Sequence, residues 1–161
     1  MRTKSVILGI LLVCALLTGC SQSNSKPSTM EYMTPDDIIS YINEGVEDTD
    51  NAFILPIPET DENEKQITPY LKLNLEQGSD GYLDEIKLSC YSMNDEETGY
   101  SAGFYSSLLI SYLTPEIGEE FAEIAPNNSM SWDSNDTIVS YTVVSGKASE
   151  LSFIPKSEYK K

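Results

Sequence analysis

Histidine is absent from all 161 residues, and arginine occurs once, at Arg2. The first absence removes Ser-His-Asp and Cys-His catalysis, histidine metal sites and a histidine pH switch together. The second bears on partners, because guanidinium forks are the usual grip on phosphate groups. Ten Lys and Arg stand against 26 Asp and Glu, a net charge of −16. A surface of that sign repels DNA, RNA and anionic headgroups, so no nucleic-acid partner is expected. The acidity either attracts cations or basic partners, or it keeps the domain soluble, and solubility is the simpler reading. Cysteine is scarce too, with Cys14, Cys20 and Cys90 alone. No apolar run reaches the ~20 residues that a spanning helix needs.

What is present begins with a positive start, Met-Arg-Thr-Lys-Ser, followed by an apolar run from Val6 to Leu17. The run suits a cleavable signal better than a permanent span. It closes on Leu17-Thr18-Gly19-Cys20. This ending resembles the lipobox of bacterial lipoprotein precursors: Leu17, Thr18 and Gly19 fit its aliphatic, small and small positions, and Cys20 its obligatory cysteine. The resemblance covers only the first 20 residues or so. It implies cleavage between Gly19 and Cys20 and a thioether-linked diacylglyceryl group on Cys20, often with an amide-linked acyl chain. Two or three chains anchor firmly where one does not. The implied location is the extracytoplasmic face of a cell membrane, and Ser21 does not decide between inner and outer.

Cleavage would remove 19 of 161 residues and leave 142, a length for one domain. Arg2 and Lys4 leave with the leader, so 8 cations face 26 acids, a net of −18. Cys14 also leaves and Cys20 carries lipid, which leaves Cys90 without a disulfide partner. Cys90 shares strand parity with Ile86 and Leu88, so it reads as a small core residue rather than a nucleophile.

The expected organisation is a leader over 1–19, lipidated Cys20 with a polar tether to residue 30, one domain over 31–157 and a frayed tail over 158–161. Thr34-Pro35-Asp36-Asp37 gives a helix start, with Met33 and Ile38 at staple spacing. Ile38, Ile39, Ile42 and Val46 mark its apolar face, and Gly45 sits where a helix commonly stops. Ala52 to Pro58 reads as an edge strand or extended segment, because of Pro56 and Pro58. Leu71, Leu73 and Leu75 alternate with polar residues, as do Ile86, Leu88 and Cys90 across a turn holding Gly78, Asp80 and Gly81. That is a hairpin with one wet face. Asn94 to Gly99 reads as a loop, and Tyr100, Phe104 and Leu108 recur at helical spacing toward Leu113. Glu119 to Ile124 forms a further short helix, Asn127 to Asp136 a polar loop, and Ile138–Val144 with Ala148–Ile154 a final hairpin. The sum is an α+β domain with a mostly antiparallel sheet of four or five strands and two or three helices on one face.

Carboxylates are the abundant reactive groups, but neighbours such as Asp84 with Glu85, or Asp95 with Glu96 and Glu97, read first as solvated turns. A calcium loop wants alternating oxygen ligands with glycine at the sixth position. Asp48-Thr49-Asp50 and Asp133-Ser134-Asn135 begin such a pattern, but their sixth positions hold Phe53 and Ile138. No cofactor or metal is expected. Met130 and Trp132 either tuck onto the core or mark a recognition surface, and they are the first residues to consider for a binding site. The function expected is a noncatalytic binding or accessory module of the cell envelope, held to the membrane by the lipid on Cys20 and meeting an unknown envelope protein or ligand. The alternative is a small carboxylate-dependent hydrolase of envelope polymers, which would need two close carboxylates in a cleft.

Overall fold

Thr34 opens helix α1 (Pro35–Glu47) through a complete capping box. Its hydroxyl accepts from the Asp37 N–H at 3.4 Å, and the Thr34 N–H donates to Asp37 Oδ2 at 2.8 Å. Proline at the first position and Asp36 and Asp37 in the first turn complete the start that the sequence predicts. The computed structural model describes residues 29–49, 51–52, 54–58, 62–124, 128–144 and 147–159. The leader, Gly19, Cys20 and nearly all of the tether lie outside the described residues.

Six strands follow: β1 (Glu64–Thr68), β2 (Leu71–Gln77), β3 (Leu83–Cys90), β4 (Met130–Asp133), β5 (Thr137–Val144) and β6 (Ala148–Pro155). Between β3 and β4 run α2 (Glu96–Leu113) and α3 (Gly118–Ile124), and a single turn, α4 (Lys156–Tyr159), closes the described chain. All pairings are antiparallel in the order β1-β2-β3-β6-β5-β4. Each half is therefore a helical segment followed by a three-stranded meander, and the two third strands meet at the centre. The class is α+β as expected, with six strands in place of four or five and four helices in place of two or three.

The extra strands are β1 and β4, both at sheet edges. β1 carries Lys65 on its inner side, opposite Leu73, where an aliphatic would have announced a strand. An inward charge on an edge strand deters pairing with another chain. β4 replaces part of the loop expected over 127–136; its four residues pair with Ile138 to Tyr141. At the end of the described chain α4 is tied back by Lys156, whose N–H donates to the Asp136 carbonyl at 2.9 Å.

Helix α2 starts four residues before the expected Tyr100, at Glu96. Asp95 accepts from the Thr98 N–H at 2.9 Å, and Thr98, fully buried, shares a 3.1 Å hydrogen bond with Thr68. Its buried stripe runs through Ser101, Ala102, Tyr105, Leu108 and Leu109, whereas Tyr100 is exposed and Phe104 half-buried. Small residues at 101 and 102 let the helix lie close to the sheet. Gly45 is interior to α1 rather than at its end; a Cβ there would stand 2.9 Å from a Leu108 methyl, so the glycine sets the approach of α1 to α2.

Ile38, Ile42, Val46, Leu108 and Leu109 share one core with the inner side of the sheet, where Leu73, Leu88, Phe153 and Val139 lie. The segment 54–58 takes the extended form allowed for it and lies on the helices rather than in the sheet. Asn43 clamps it: the Ile57 N–H donates to Asn43 Oδ1 at 2.7 Å and Asn43 Nδ2 donates to the Ile57 carbonyl at 3.4 Å. Tyr105 donates its hydroxyl to the Leu55 carbonyl, and Ile54 and Ile57 are buried beneath. Among the described residues no helix is long and apolar enough to cross a membrane.

Candidate functional site

Alternation places Lys72, Asn74 and Glu76 of β2, Glu85, Lys87 and Ser89 of β3, and Glu150 and Ser152 of β6 on the side of the sheet away from the core. Ser131 of β4 and Ser140 and Thr142 of β5 continue that side to the far edge. Small hydroxyl residues thus occupy the middle, and Lys72 pairs with Glu64 at 2.7 Å and Lys87 with Glu85 at 3.2 Å. Burial works against the Lys87 charge, but Glu85, Glu150 and Glu76 outweigh it and lift its ammonium above the ordinary lysine value.

One end of this outer face is apolar. The Tyr91 N–H donates to the Tyr70 carbonyl at 2.8 Å, so the two tyrosines continue the β2–β3 ladder on the parity of Lys72 and Ser89. Val144, paired with Ala148, extends the row. Tyr70, Tyr91 and Val144 are 47%, 57% and 60% exposed, well above what a packing role requires. Lys72 Nζ stands 6.0 Å from the centre of the Tyr91 ring, at the outer limit of a cation–π contact. The period-two pattern that reveals the hairpin already carries this signal, since Tyr70 and Tyr91 fall on its wet parity.

The two candidates for a binding surface part company. Met130 and Trp132 lie in β4 rather than a loop, and Trp132 is buried at 7% exposure against Phe121, ring centres 5.9 Å apart. Phe121 in turn meets Tyr141 edge-on at 5.3 Å. Trp132 therefore belongs to the core and not to a surface, and its Nε1 finds no hydrogen-bond partner among the described residues. Met130 stays 37% exposed at the sheet edge.

Asp95, Glu116 and Asp133 are spent locally. Asp95 is held below the ordinary aspartate value by the side-chain and backbone hydrogen bonds of Thr98, as a helix cap should be. Burial raises Glu116, but the Ser134 hydroxyl and the backbone N–H groups of Glu116 and Asn135 outweigh it and lower its value. These directions favour the anion, opposite to the shift that makes a general acid. In the segment considered for calcium, Asp133 accepts from Lys156 Nζ at 2.5 Å, and the Asn135 carbonyl accepts from the same ammonium at 3.1 Å. The protein's own cation thus holds two of the oxygens a metal would need. Asp50, in the other segment, lies outside the described residues.

A cavity of about 390 Å³ opens between the first turn of α1 and strands β1 and β2. Asp36 and Ile39 come from the helix, Glu62 and Lys65 from the β1 side, and Leu75 and Gln77 from β2. Lys65 is 4% exposed, whereas Asp36 and Glu62 face water. Cys90 plays no part in either place: it is buried, and desolvation pushes its thiol up, away from the reactive thiolate. Comparison with known families, curated proteins and solved structures finds no match to this chain.

Proposed function

We propose that this chain is a lipid-anchored, extracytoplasmic lipoprotein that serves the bacterial cell envelope as a noncatalytic binding or accessory module. The address rests on the lipobox-like Leu17-Thr18-Gly19-Cys20 and the polar tether behind it. The observation that carries the binding role is the outer face of the sheet, which the described helices leave uncovered and which ends in exposed Tyr70, Tyr91 and Val144. Tyrosines supply contact area with few rotamers to freeze, which makes them efficient anchors. A sheet held rigid by a full core on its other side presents them without reorganisation.

The experiment is capture from native envelope extracts by the wild-type chain and by the double variant Tyr70→Ser/Tyr91→Ser. Loss of the captured species in the variant, with an unchanged melting temperature, supports the outer face as the binding surface. Equal capture by both removes it. Met130→Ala runs alongside as the test of the other edge. The carboxylate-hydrolase alternative keeps one foothold, since Asp36 and Glu62 border the same cavity. Both are exposed, however, and a general acid that works near neutrality is made by burying its carboxyl. If envelope-polymer turnover requires Asp36 or Glu62, the noncatalytic reading is wrong.

A further inference from the structure

The chain enters the fold at one end of the sheet, and the exposed tyrosines of the outer face sit at the other. Met30 is buried in a single turn, Met30–Tyr32, where the Thr137 hydroxyl donates to its sulfur at 3.9 Å. Close by, the Leu83 N–H donates to the Met33 carbonyl at 2.9 Å. Thr137 and Leu83 are the first residues of β5 and β3, so the entry point lies where those strands begin. Val144 and Cys90 end the same strands, and Tyr91 follows Cys90. The eight residues of β3, at about 3.3 Å each, put roughly 25 Å of sheet between the entry point and Tyr91. Cys20 stands nine positions before Thr29, the first described residue. Nine residues reach about 30 Å at full extension. To lay the tyrosines on the bilayer, that stretch would have to double back along the sheet with almost nothing to spare, whereas the entry end meets the membrane without any such demand.

Register supplies the neighbours of the tyrosines. Tyr70 and Tyr91 stand on adjacent strands, and the next step of the β3–β6 register sets Tyr91 beside Ala148, whose partner is Val144. An uncharged row thus crosses four strands. Beneath it lie Lys72, Ser89, Glu150 and Thr142, and beneath those Asn74, Lys87, Ser152 and Ser140. Lys72 and Lys87 are answered by Glu64 and Glu85, and Glu150 accepts from the Ser89 hydroxyl at 3.4 Å. Exposed rings therefore border hydroxyl and amide groups and internally matched charge. An anionic polymer is repelled by a body of net charge −16, and a cationic one finds Glu64 and Glu150, near the tyrosines, already engaged. A neutral polyhydroxylated chain fits better: its sugar rings offer an apolar C–H face to a tyrosine ring and hydroxyls to serine, threonine and asparagine. We propose that Tyr70 and Tyr91 form the membrane-distal end of the domain and dock a neutral glycan strand of the envelope. This rests on the lipid-anchored, outer-face reading above and adds to it the place and chemistry of the partner.

The test is calorimetric titration of the full chain, in zwitterionic detergent, with chitotetraose and cellotetraose, both neutral, beside polyanionic tetragalacturonate. At least one neutral chain should bind, at least about tenfold more weakly in Tyr70→Ser and Tyr91→Ser but within about threefold of wild type in Tyr70→Phe and Tyr91→Phe, which keep the ring. No heat from either neutral chain at about 10 mM, weaker than any useful affinity, overturns the glycan. Equal binding of tetragalacturonate, or equal loss in the phenylalanine variants, overturns it as well. The same titration with the chain held by its lipid on phosphatidylcholine vesicles should give an affinity unchanged within about twofold, and a loss of about tenfold or more would put the tyrosines against the bilayer. A chain that does not float with the vesicles refutes the anchor and with it the distal placement, while the titration in detergent still decides the glycan. Capture from envelope extracts that Tyr70→Ser/Tyr91→Ser abolishes, without any glycan binding, would keep the outer face as the binding surface and overturn the glycan in favour of a protein.

Discussion

Asn43 shows how much one polar side chain can decide. Its amide replaces a strand partner for Ile57 and so fixes an extended segment on a helix surface, where no backbone ladder is available. Asn43→Ala would leave the Ile57 N–H and carbonyl without those partners, at a cost of about 1–3 kcal/mol for a buried unsatisfied group. The expected readout is a lower urea midpoint with an unchanged slope. Gly81 is the other residue whose identity is dictated, since its φ of +91° is a region where side chains are strained. Gly81→Ala should destabilise by about 1 kcal/mol in the same measurement. Neither requirement was fully legible beforehand. The turn around Gly81 announces itself through Gly78, Asp80 and Gly81, but nothing adjacent to Asn43 says that it will reach Ile57.

Among the elements, the reason for success or failure is local. Helix α1 was readable because every signal lies within its own first turns: a cap, a proline, two acids and an apolar face. Helix α2 was readable only from its middle, because Asn94 to Gly99 is polar and ends in glycine, and the buried Thr68–Thr98 hydrogen bond that holds its start comes from a strand 30 residues away. Its Asp95 cap yields a prediction with a sign. The folded carboxyl titrates below the ordinary aspartate value of about 3.9. The cap's contribution is thus complete above that pH and is lost as the pH falls through the lower folded value. Asp95→Asn keeps a capping acceptor that does not titrate. Urea midpoints measured from pH 7 to below pH 4 should fall less steeply for the variant, and parallel curves would show that Asp95 does not set the acid limb. Strands β2 and β3 follow from period-two alternation and β5 and β6 from the hairpin read over Ile138–Val144 and Ala148–Ile154, whereas β1 hides behind Lys65 and β4 behind its brevity.

For the whole molecule, antiparallel class and one-sided coverage follow from alternation, but the order β1-β2-β3-β6-β5-β4 does not. The two meanders join with Leu88 opposite Leu151 and Ile86 opposite Phe153, pairings far apart in the chain that no local pattern announces. The candidate surfaces show the same division. Tyr70 and Tyr91 could be placed on the wet face from parity alone, while the cavity exists only because α1 brings Asp36 over β1 and β2. Trp132 stands out as the lone tryptophan of the sequence, and its aromatic cluster with Phe121 and Tyr141 makes it core. Cys90 follows at this scale: in the native protein it should react with an alkylating reagent far more slowly than in urea, and equal rates would place the thiol at a surface.

The envelope reading depends on the proposed lipid anchor, and membrane fractionation of the wild type beside Cys20→Ala tests it most directly. The wild-type chain should sediment with membranes, resist extraction by high salt and dissolve in detergent, whereas Cys20→Ala should leave the membrane fraction. If the variant remains membrane-bound in the same amount, the lipid anchor is refuted, and with it the envelope module proposed for this fold.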